Sequence, residues 1–530
     1  MSNIYKEEID KKELYLPLSI DEYISENNQV RAVEDFVEML DMVELGFVNS
    51  DLKATDGQPA YHPKLLLKIY IYGYLNKIRS SRALEREIGR NIEMMWLCGG
   101  LYPKQKTIAN FRKNNSKALE QVFKDFVTLC KELQLIEGKL VGVDGAFLRA
   151  NASKNRLITK KFVTRDLKRI EEKIDKYFKM LTFSDKEPQE NNTLRPSSMK
   201  KIIELKIKKK KLDEDLALLE EKNVEQYNRT DPDAKNMVKP AHNLMAYNVQ
   251  IAVDDKYKFI VATDVTSQGN DFNQLSNMGG KAKEVVQNDD MVIVGDGGYC
   301  SAKEISKCKD AGIEVVVPVP KHEKKQKDKG FYLRSDFIYD EESDTFTCPN
   351  QQQLIKSPSV IVKTSGKNYI YTTSGRTCKD CPLRDKCIPK KTRNKRISVS
   401  EYASVAKEHL LKMQTDEAKE IIKKRGSIVE HPFGTIKQNL GWSHFLVRGK
   451  KKVIGENALI MFTYNFRRLL NLIGIVLFKK LLKALKNGNI EDIRAEIEAY
   501  IALEFYIWLY FVRVFEWERS KGEKLLFRLL

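Results

Sequence analysis

The stretch Leu140–Ser153 reads LVGVDGAFLRANAS, and its first half decides the fold. Its opening residues form a short apolar run, rich in valine, that is typical of a strand buried on both faces. Asp144 interrupts the run and Gly145 follows it, so the common Asp-Gly turn pair predicts that the strand ends there. A buried carboxylate is costly unless a basic side chain, backbone donors or a metal ion meets it. The stretch therefore allows either a turn-capping aspartate or a functional one.

A second stretch repeats this pattern. MVIVGDGGY (Met291–Tyr299) is another buried-looking strand that runs into an aspartate, Asp296, with glycine next in line. If the two strands are adjacent, Asp144 and Asp296 emerge side by side at one edge of the sheet. Two such anions repel each other, and a divalent cation removes the conflict. Oxygen ligands without histidine favour Mg²⁺ or Mn²⁺.

The length and charge of the chain limit the class of protein. With 530 residues, 42% hydrophobic and 31% charged, it has the composition of a soluble protein with more than one domain. The net charge of +19 favours a polyanionic partner, most simply nucleic acid, although a basic surface can also serve solubility alone.

No membrane segment or secretory signal is predicted. The N-terminus, MSNIYKEEID, is charged and lacks an apolar core. The apolar runs Leu469–Leu482 and Ile501–Phe515 are short for a bilayer and contain charged residues. We therefore expect both runs to be helices packed within a cytoplasmic protein that has no membrane partner.

The order of patterns predicts an α/β protein with a mixed sheet flanked by helices. Its expected parts are a helical N-terminal domain (1–135), a mixed-sheet core in pieces (136–153, 231–320 and 401–470), a charged helical hairpin (154–230), a cysteine-rich insertion (321–400) and a helical C-terminal extension (471–530). The basic face and the family resemblance described below imply that the first of these domains binds DNA and that the core is catalytic.

The N-terminal region carries a basic helical face. Arg79, Arg82 and Arg86 recur at three- and four-residue spacing, which places their guanidinium groups along one side of a helix. Among several short helices, such a face is typical of a helix-turn-helix type of DNA reader. A solvated face that pairs with Glu85 and Glu87 is the alternative.

The third candidate carboxylate lies near the C-terminus. Glu430 precedes Lys437 by seven residues, so two turns of a continuous helix would place both side chains on one face. A third carboxylate with a lysine beside it suits two-metal phosphoryl transfer. We interpret three further acidic residues as turn and cap residues: Asp254, Asp264 and Asp271.

Four of the eight cysteines cluster. Cys348 is followed by Cys378-x₂-Cys381-x₅-Cys387. In a cytosolic chain this spacing favours tetrahedral Zn²⁺ in a small knuckle, with reduced thiols and no metal as the alternative.

Together these motifs resemble an insertion-sequence transposase of the DDE superfamily, with a ribonuclease H-like core, a helical N-terminal domain and a cysteine-bearing insertion. The similarity runs from about Leu16 to Leu470. The motifs that carry it are RSSRALEREI (Arg79–Ile88), TIANFR (Thr107–Arg112), VDGAFLRANASKN (Val143–Asn155), TDPDA (Thr230–Ala234), AYNVQIAVD (Ala246–Asp254), VGDGGY (Val294–Tyr299) and VEHPFGTIK (Val429–Lys437).

The resemblance implies that Asp144, Asp296 and Glu430 bind two Mg²⁺ or Mn²⁺ ions. Arg425 and Lys437 match basic positions of the family signature, whereas Ile422 stands where many relatives have a tyrosine.

The implied activity is metal-dependent cleavage at the terminal inverted repeats of the element, followed by strand transfer into target DNA. A homodimer on double-stranded DNA, associated with a bacterial nucleoid, is the expected form. A catalytically silent DNA-binding protein or repressor of the same fold is the alternative.

Overall fold

A computed structural model describes residues 19–51, 59–184, 194–239, 242–320, 330–363 and 365–520. Six helices precede the sheet: α1 (Gln29–Met39), α2 (Pro63–Leu75), α3 (Ser81–Ile88), α4 (Ile92–Leu97), α5 (Gln105–Asn114) and α6 (Ser116–Glu132). Helix α2 begins at Pro63, whose fixed φ suits a first helical position, and the His62 side chain accepts the N–H of Lys64. Every residue of α2 except Lys64 is buried, so this helix forms part of the core.

The central sheet has the predicted ribonuclease H-like arrangement. Its strands are β1 (Leu140–Arg149), β4 (Lys235–Lys239), β5 (His242–Asp254), β6 (Ile260–Thr266), β7 (Val292–Val294) and β8 (Glu314–Val316). Strand β5 pairs antiparallel with β1 on one side and with β4 and β6 on the other. Strands β7 and β8 continue the sheet parallel to β1. The strand order is β6-β5-β1-β7-β8, and within it only β5 runs antiparallel to the other four strands. This arrangement confirms the predicted fold class.

Between β1 and β4 the chain forms the predicted helical hairpin. The short strands β2 (Leu157–Thr159) and β3 (Gln226–Asn228) pair at its base. Helices α7 (Lys160–Ser184) and α8 (Leu194–Glu221) pack against each other through a small core of their own that includes Val163, Ile170 and Leu219. The apolar spacing along both helices produces this hairpin, because each helix can bury only one stripe.

The cysteine-bearing insertion contains a sheet that the sequence did not predict. After helix α9 (Leu275–Val286) and helix α10 (Ala302–Asp310), which flank β7, the chain forms five antiparallel strands in sequence order: β9 (Ile338–Asp340), β10 (Thr345–Thr347), β11 (Gln353–Lys363), β12 (Gly366–Thr372) and β13 (Arg396–Ser400). Two short helices separate β12 from β13: α11 (Gly375–Lys379) and α12 (Arg384–Cys387). Most of β11 is exposed on both faces, so its sequence lacks the alternation of apolar and polar residues that would have indicated a strand.

The C-terminal helices are α13 (Ala403–Lys412), α14 (Asp416–Gly434), α15 (Lys450–Asn487) and α16 (Ile490–Ser520). Helix α15 packs against α1, α2, α6 and β6, and changes direction at Gly474, whose φ is +71°. As a result, the N-terminal helices, the sheet and α15 share one hydrophobic core. The domain boundaries inferred from the sequence stay predictions, because a shared core does not mark where one domain ends and the next begins.

The two apolar runs near the C-terminus differ in their surroundings. Most of Leu469–Leu482 is buried within α15, as expected. The run Ile501–Phe515 is helical, but Leu503, Phe505, Tyr506 and Trp508 are exposed, so the prediction that this helix packs within the protein is wrong for its described side chains. No helix in the described ranges is long and apolar enough to cross a membrane.

Candidate active site

Strands β1 and β7 bring the first two predicted carboxylates together. They pair in parallel with Gly142 opposite Val294. Two residues further along each chain stand Asp144 and Asp296, which therefore occupy equivalent positions at the end of β7. The expectation that the two carboxylates meet at one edge of the sheet is consistent with this register.

Asp144 does not end its strand, which corrects the sequence-based expectation. Strand β1 continues to Arg149 because β5 remains paired with it as far as Ala246. Strand β7 stops at Val294, so from Val143 to Leu148 strand β1 pairs among the described residues with β5 only, and at Arg149 it forms an isolated bridge with His444. This one-sided opening makes room for the carboxylate in the middle of a strand.

The surroundings of Asp144 disfavour its charge. Burial raises its pKa to about 6; the N–H of Gly145 and the charge of Arg425 lower the pKa, and the charges of Asp296 and Asp271 raise it. Its Oδ1 accepts the Gly145 N–H at 2.9 Å. The local excess of negative over positive charge is the situation that a bound cation relieves.

Asp296 is held by the turn that follows β7. Its Oδ1 accepts the N–H of Gly298 at 2.8 Å, which caps the 3-10 turn Gly297–Tyr299. The glycine that follows this aspartate therefore lies in a turn. Asp296 is half-buried and follows the end of β7 by two residues.

Helix α14 brings the third carboxylate to the same side of the sheet. A Cβ on Gly142 would lie 2.7 Å from Val429 Cγ1 and 2.8 Å from Ile428 Cγ2, so only glycine allows this close contact. Gly142 and Asp144 lie on the same strand face because they are two residues apart. Glu430 follows Val429 directly, but its side chain is exposed and lies beside Gly426 of its own helix.

The two basic residues of this region occupy different parts of the helix. Arg425 lies one turn before Glu430 and acts electrostatically on Asp144. Lys437 lies in a π-helical turn, Thr435–Asn439, that extends α14, with its Nζ 5.1 Å from the centre of the Phe433 ring. The wider π turn replaces the continuous α-helix assumed for the Glu430–Lys437 spacing.

Arg79 lies in a different place from the one predicted. Its guanidinium is buried, pairs with Glu456 at 3.0 Å and donates to the carbonyl of His444 at 2.6 Å. A guanidinium held in this way cannot reach DNA phosphates, so Arg79 is a structural residue. Arg82 and Arg86 remain exposed on α3, and the Arg86 side chain is 66% exposed.

The carboxylates interpreted as turn and cap residues divide into two groups. Asp254 accepts the N–H groups of Gly138 and Lys256, and Asp264 pairs with Lys281, as turn and surface residues do. The side chain of Asp271 instead accepts hydrogen bonds from Asn248 and Gln250 and lies beside Gly145. The sequence contains a signal for this position of Asp271, because the amide residues Asn248 and Gln250 interrupt the apolar strand AYNVQIAVD on one face.

The four clustered cysteines converge around α12. Burial raises the pKa of the Cys387 thiol, Lys395 lowers it, and Cys378, Cys348 and Cys381 raise it further, so these groups lie near one another. All four thiols are free. Even so, no set of three or more acidic, histidine or cysteine side chains in the described part of the chain is arranged to hold a metal ion. Asp144 and Asp296 are thus near each other, as are the four cysteines, but in the described part of the chain neither group is arranged as a set of metal ligands.

Two family models match the chain. A transposase domain, DUF772, matches residues 18–114, and a transposase DDE domain matches residues 347–470. Glu430, Arg425 and Lys437 lie inside the second match, whereas Asp144 and Asp296 lie outside both. A comparison with the curated proteins gives no match.

Among solved structures, one similar chain is a piggyBac transposase in a synaptic complex with hairpin DNA. It shares 9% identity, with 93% of this chain and 85% of that chain covered, and a TM-score of 0.28, which is too low to support an argument. The two domain matches, one over the N-terminal helices and one over the helix that carries Glu430, show that these two segments are similar to transposase domains and support a DDE-type transposase.

Proposed function

We propose that the chain binds the terminal inverted repeats of its own insertion sequence and catalyses metal-dependent strand cleavage and strand transfer. The observation that carries this proposal is the equivalent placement of Asp144 and Asp296 on adjacent parallel strands, on the side of the sheet that α14 covers. Neither aspartate has a cationic partner at ion-pair distance among the described residues, which is unusual for a structural pair.

These residues fit a divalent cation by the chemistry of their donors. Asp144 and Asp296 would hold it, with Glu430 as the third carboxylate from α14. When bound, two Mg²⁺ or Mn²⁺ ions would lower the pKa of the attacking water or 3′ hydroxyl and stabilise the leaving oxygen. Glu430 is exposed, so its carboxylate is not committed to the protein interior.

A cleft with basic residues on one wall would receive part of the DNA. A cleft of about 520 Å³ lies between α3 and the segment that follows the π turn, and Lys77, Arg86 and Arg90 line one wall while Trp442 and His444 line the other. We infer that DNA phosphates follow this cleft, because cations on one wall and a rigid opposite wall hold a backbone in register.

Arg425 and Lys437 would then contact the phosphates nearest the scissile bond. Arg425 acts on Asp144 already, so it stands within reach of a phosphate at the carboxylates. Two element ends must be brought together for transfer, and we therefore propose a homodimer on DNA.

A catalytically silent DNA-binding protein is the second candidate. The observation that favours it is that no three carboxylates in the described ranges are arranged as metal ligands. It would retain the basic cleft and lack the chemistry.

One gel assay separates the two candidates. Purified protein, Mg²⁺ and a labelled duplex that carries the element's own end are run on a denaturing gel beside the Asp296→Asn variant and a reaction without metal. We expect cleavage by wild type that requires both the metal and Asp296. Tight binding without cleavage by either protein would contradict the enzyme and support the silent candidate.

We also propose a structural Zn²⁺ held by Cys348, Cys378, Cys381 and Cys387. Their convergence around α12 and the small core there support it, because a knuckle of this size buries little apolar surface of its own.

Cys378→Ser is expected to reduce zinc in the purified protein from about one ion per chain to near none, as measured by atomic emission. Cys98→Ser, at a buried thiol far along the chain, is the control and should keep the metal. Zinc-free wild type with an intact fold would refute the proposal.

A further inference from the structure

A buried polar network lies beside the proposed cation site. The Oδ1 atom of Asp271 accepts hydrogen bonds from Asn248 Nδ2 at 2.7 Å and from Gln250 Nε2 at 2.6 Å. Both amide side chains are fully buried on β5, where Gln250 stands opposite Gly145 of β1. Two neutral amides therefore hold one carboxylate against the strand that carries Asp144.

Gly145 makes room for this arrangement. A Cβ at this position would lie 2.4 Å from Gln250 Nε2 and 2.5 Å from Asp271 Oδ1, distances that no side chain could adopt. Gly145 is thus required for close approach and not for a turn. Gly145, the residue next to Asp144, thus leaves room for the Asp271 side chain.

An unsatisfied acceptor faces the same space. Asn248 is fully buried, its Oδ1 has no hydrogen-bond partner among the residues that the structure describes, and this oxygen lies 3.1 Å from the position of a Cβ on Gly145. A buried carbonyl oxygen without a partner is costly, so such groups in native proteins usually meet water or a ligand. The space beside Gly145 therefore has an acceptor that the protein itself does not satisfy.

The network also reaches the turn of Asp296. The hydroxyl of Tyr299 donates to Gln250 Oε1 at 2.5 Å, and Tyr299 is the last residue of the 3-10 turn that Asp296 caps. Asp271 accepts from the amide end of Gln250, which leaves the carbonyl end directed at Tyr299. The orientation of the turn thus depends on a carboxylate on another element.

Three aspartates act electrostatically on the Tyr299 hydroxyl. Burial and then the charges of Asp271, Asp144 and Asp296 raise the pKa of Tyr299. Among the described residues, Asp271 forms no ion pair with a lysine or arginine, whereas the neighbouring Asp264 pairs with Lys281 at 3.1 Å. The charge of Asp271 therefore remains available to a cation.

We propose that Asp271 is a positioning residue of the cation site. Through Gln250 and Tyr299 it fixes the turn that carries Asp296, and it adds a third negative charge beside Asp144 and Asp296. This inference rests on the proposed function, because the cation is the one that strand cleavage would use.

Binding of Mn²⁺ to the full-length protein without DNA tests this directly, with the loss of the free Mn²⁺ signal in electron paramagnetic resonance as the readout. Asp271→Asn keeps an oxygen for both amides and removes only the charge, so we expect the Kd for Mn²⁺ to rise about tenfold. Asp264→Asn is the matched control: this residue stands opposite Gln250 on β6 with its charge balanced by Lys281, and the Kd should stay within about twofold.

Tyr299→Phe tests the orienting part separately, since it removes the hydroxyl and leaves every charge in place. We expect the Kd for Mn²⁺ to rise about threefold, because the lost hydrogen bond orients the turn and acts on the cation only through it. This variant also carries the test if Asp271→Asn does not fold.

The outcomes distinguish this inference from the proposed function. If wild type binds Mn²⁺ and Asp296→Asn does not, while Asp271→Asn and Tyr299→Phe both bind like wild type, Asp271 has no positioning role and the proposed function stands. If wild type binds no Mn²⁺, both ideas are overturned.

Discussion

Glu430→Gln is expected to lower the rate of strand cleavage at least about a thousandfold while leaving the affinity for the element's end unchanged. The substitution preserves the size of the side chain and removes the charge that would bind a cation. Because Glu430 is exposed and lies beside Gly426 on α14, its loss leaves no buried group unsatisfied. The expected defect is therefore catalytic and not structural.

The control for this variant lies on the same helix. Glu420 is also exposed, about three turns earlier, and forms a surface pair with Lys423. Glu420→Gln should cleave at the wild-type rate. Cleavage by Glu430→Gln at a comparable rate would remove this residue from the proposed site, and a loss of DNA binding would show that its role is not confined to catalysis. Cleavage on a denaturing gel and DNA affinity by fluorescence anisotropy give the two readouts.

Glu456→Ala is expected to lower the free energy of unfolding by about 3–5 kcal/mol. The Glu456 carboxylate is fully buried in α15, where Oε1 accepts from Arg79 Nη2 at 3.0 Å and Arg112 Nη1 at 3.4 Å, and Oε2 accepts the N–H groups of Leu446 and Val447. Without it, two buried guanidinium groups have no counter-charge. Urea denaturation followed by tryptophan fluorescence measures the difference.

The same prediction has a defined pH dependence. Burial raises the pKa of Glu456, but Arg112, Arg79 and the backbone donors outweigh burial and lower the pKa below its ordinary value of 4.5. A carboxylate with a lowered pKa stabilises the folded state above its unfolded pKa and loses that contribution as the pH falls. The difference between wild type and variant should therefore be full at pH 7 and shrink below about pH 4.5.

An exposed ion pair provides the comparison for Glu456. Glu408 pairs with Lys309 at 2.8 Å, and both side chains are exposed. Glu408→Ala should leave the denaturation midpoint unchanged, because exposed pairs contribute little. A Glu456→Ala midpoint equal to that of wild type would mean that Arg79 and Arg112 find other partners.

The Glu456 cluster explains why two N-terminal motifs are linked to a C-terminal helix. Arg79 opens RSSRALEREI and Arg112 closes TIANFR, and both reach Glu456. The basic residues that remain exposed in the first motif, Arg82 and Arg86, are then the ones available to DNA.

Much of the fold was predictable because it depends on local patterns. The pattern of residues 154–230 predicted the helical hairpin. Two valine-rich runs that each lead into an aspartate predicted two buried strands, since such runs are typical of strands buried on both faces, and the structure pairs these strands.

Other features depended on contacts between distant segments. The parallel pairing of β1 with β7 stops at Gly142 while β5 continues, and so Asp144 lies within a strand although the Asp-Gly pair predicted a turn. Arg79 follows the helical spacing of its exposed neighbours, yet Glu456, 377 residues away in sequence, draws it into the core.

By itself, the sequence determined which residue types can do chemistry and which segments form strands and helices, because periodicity and side-chain chemistry are local properties. Only the tertiary structure decided which charges face a cation, DNA or each other, because these depend on the pairing of distant strands and on what covers each face. Asp271 shows the difference: its sequence neighbours predict a cap, and its position beside Gly145 is decided by two amides on another strand.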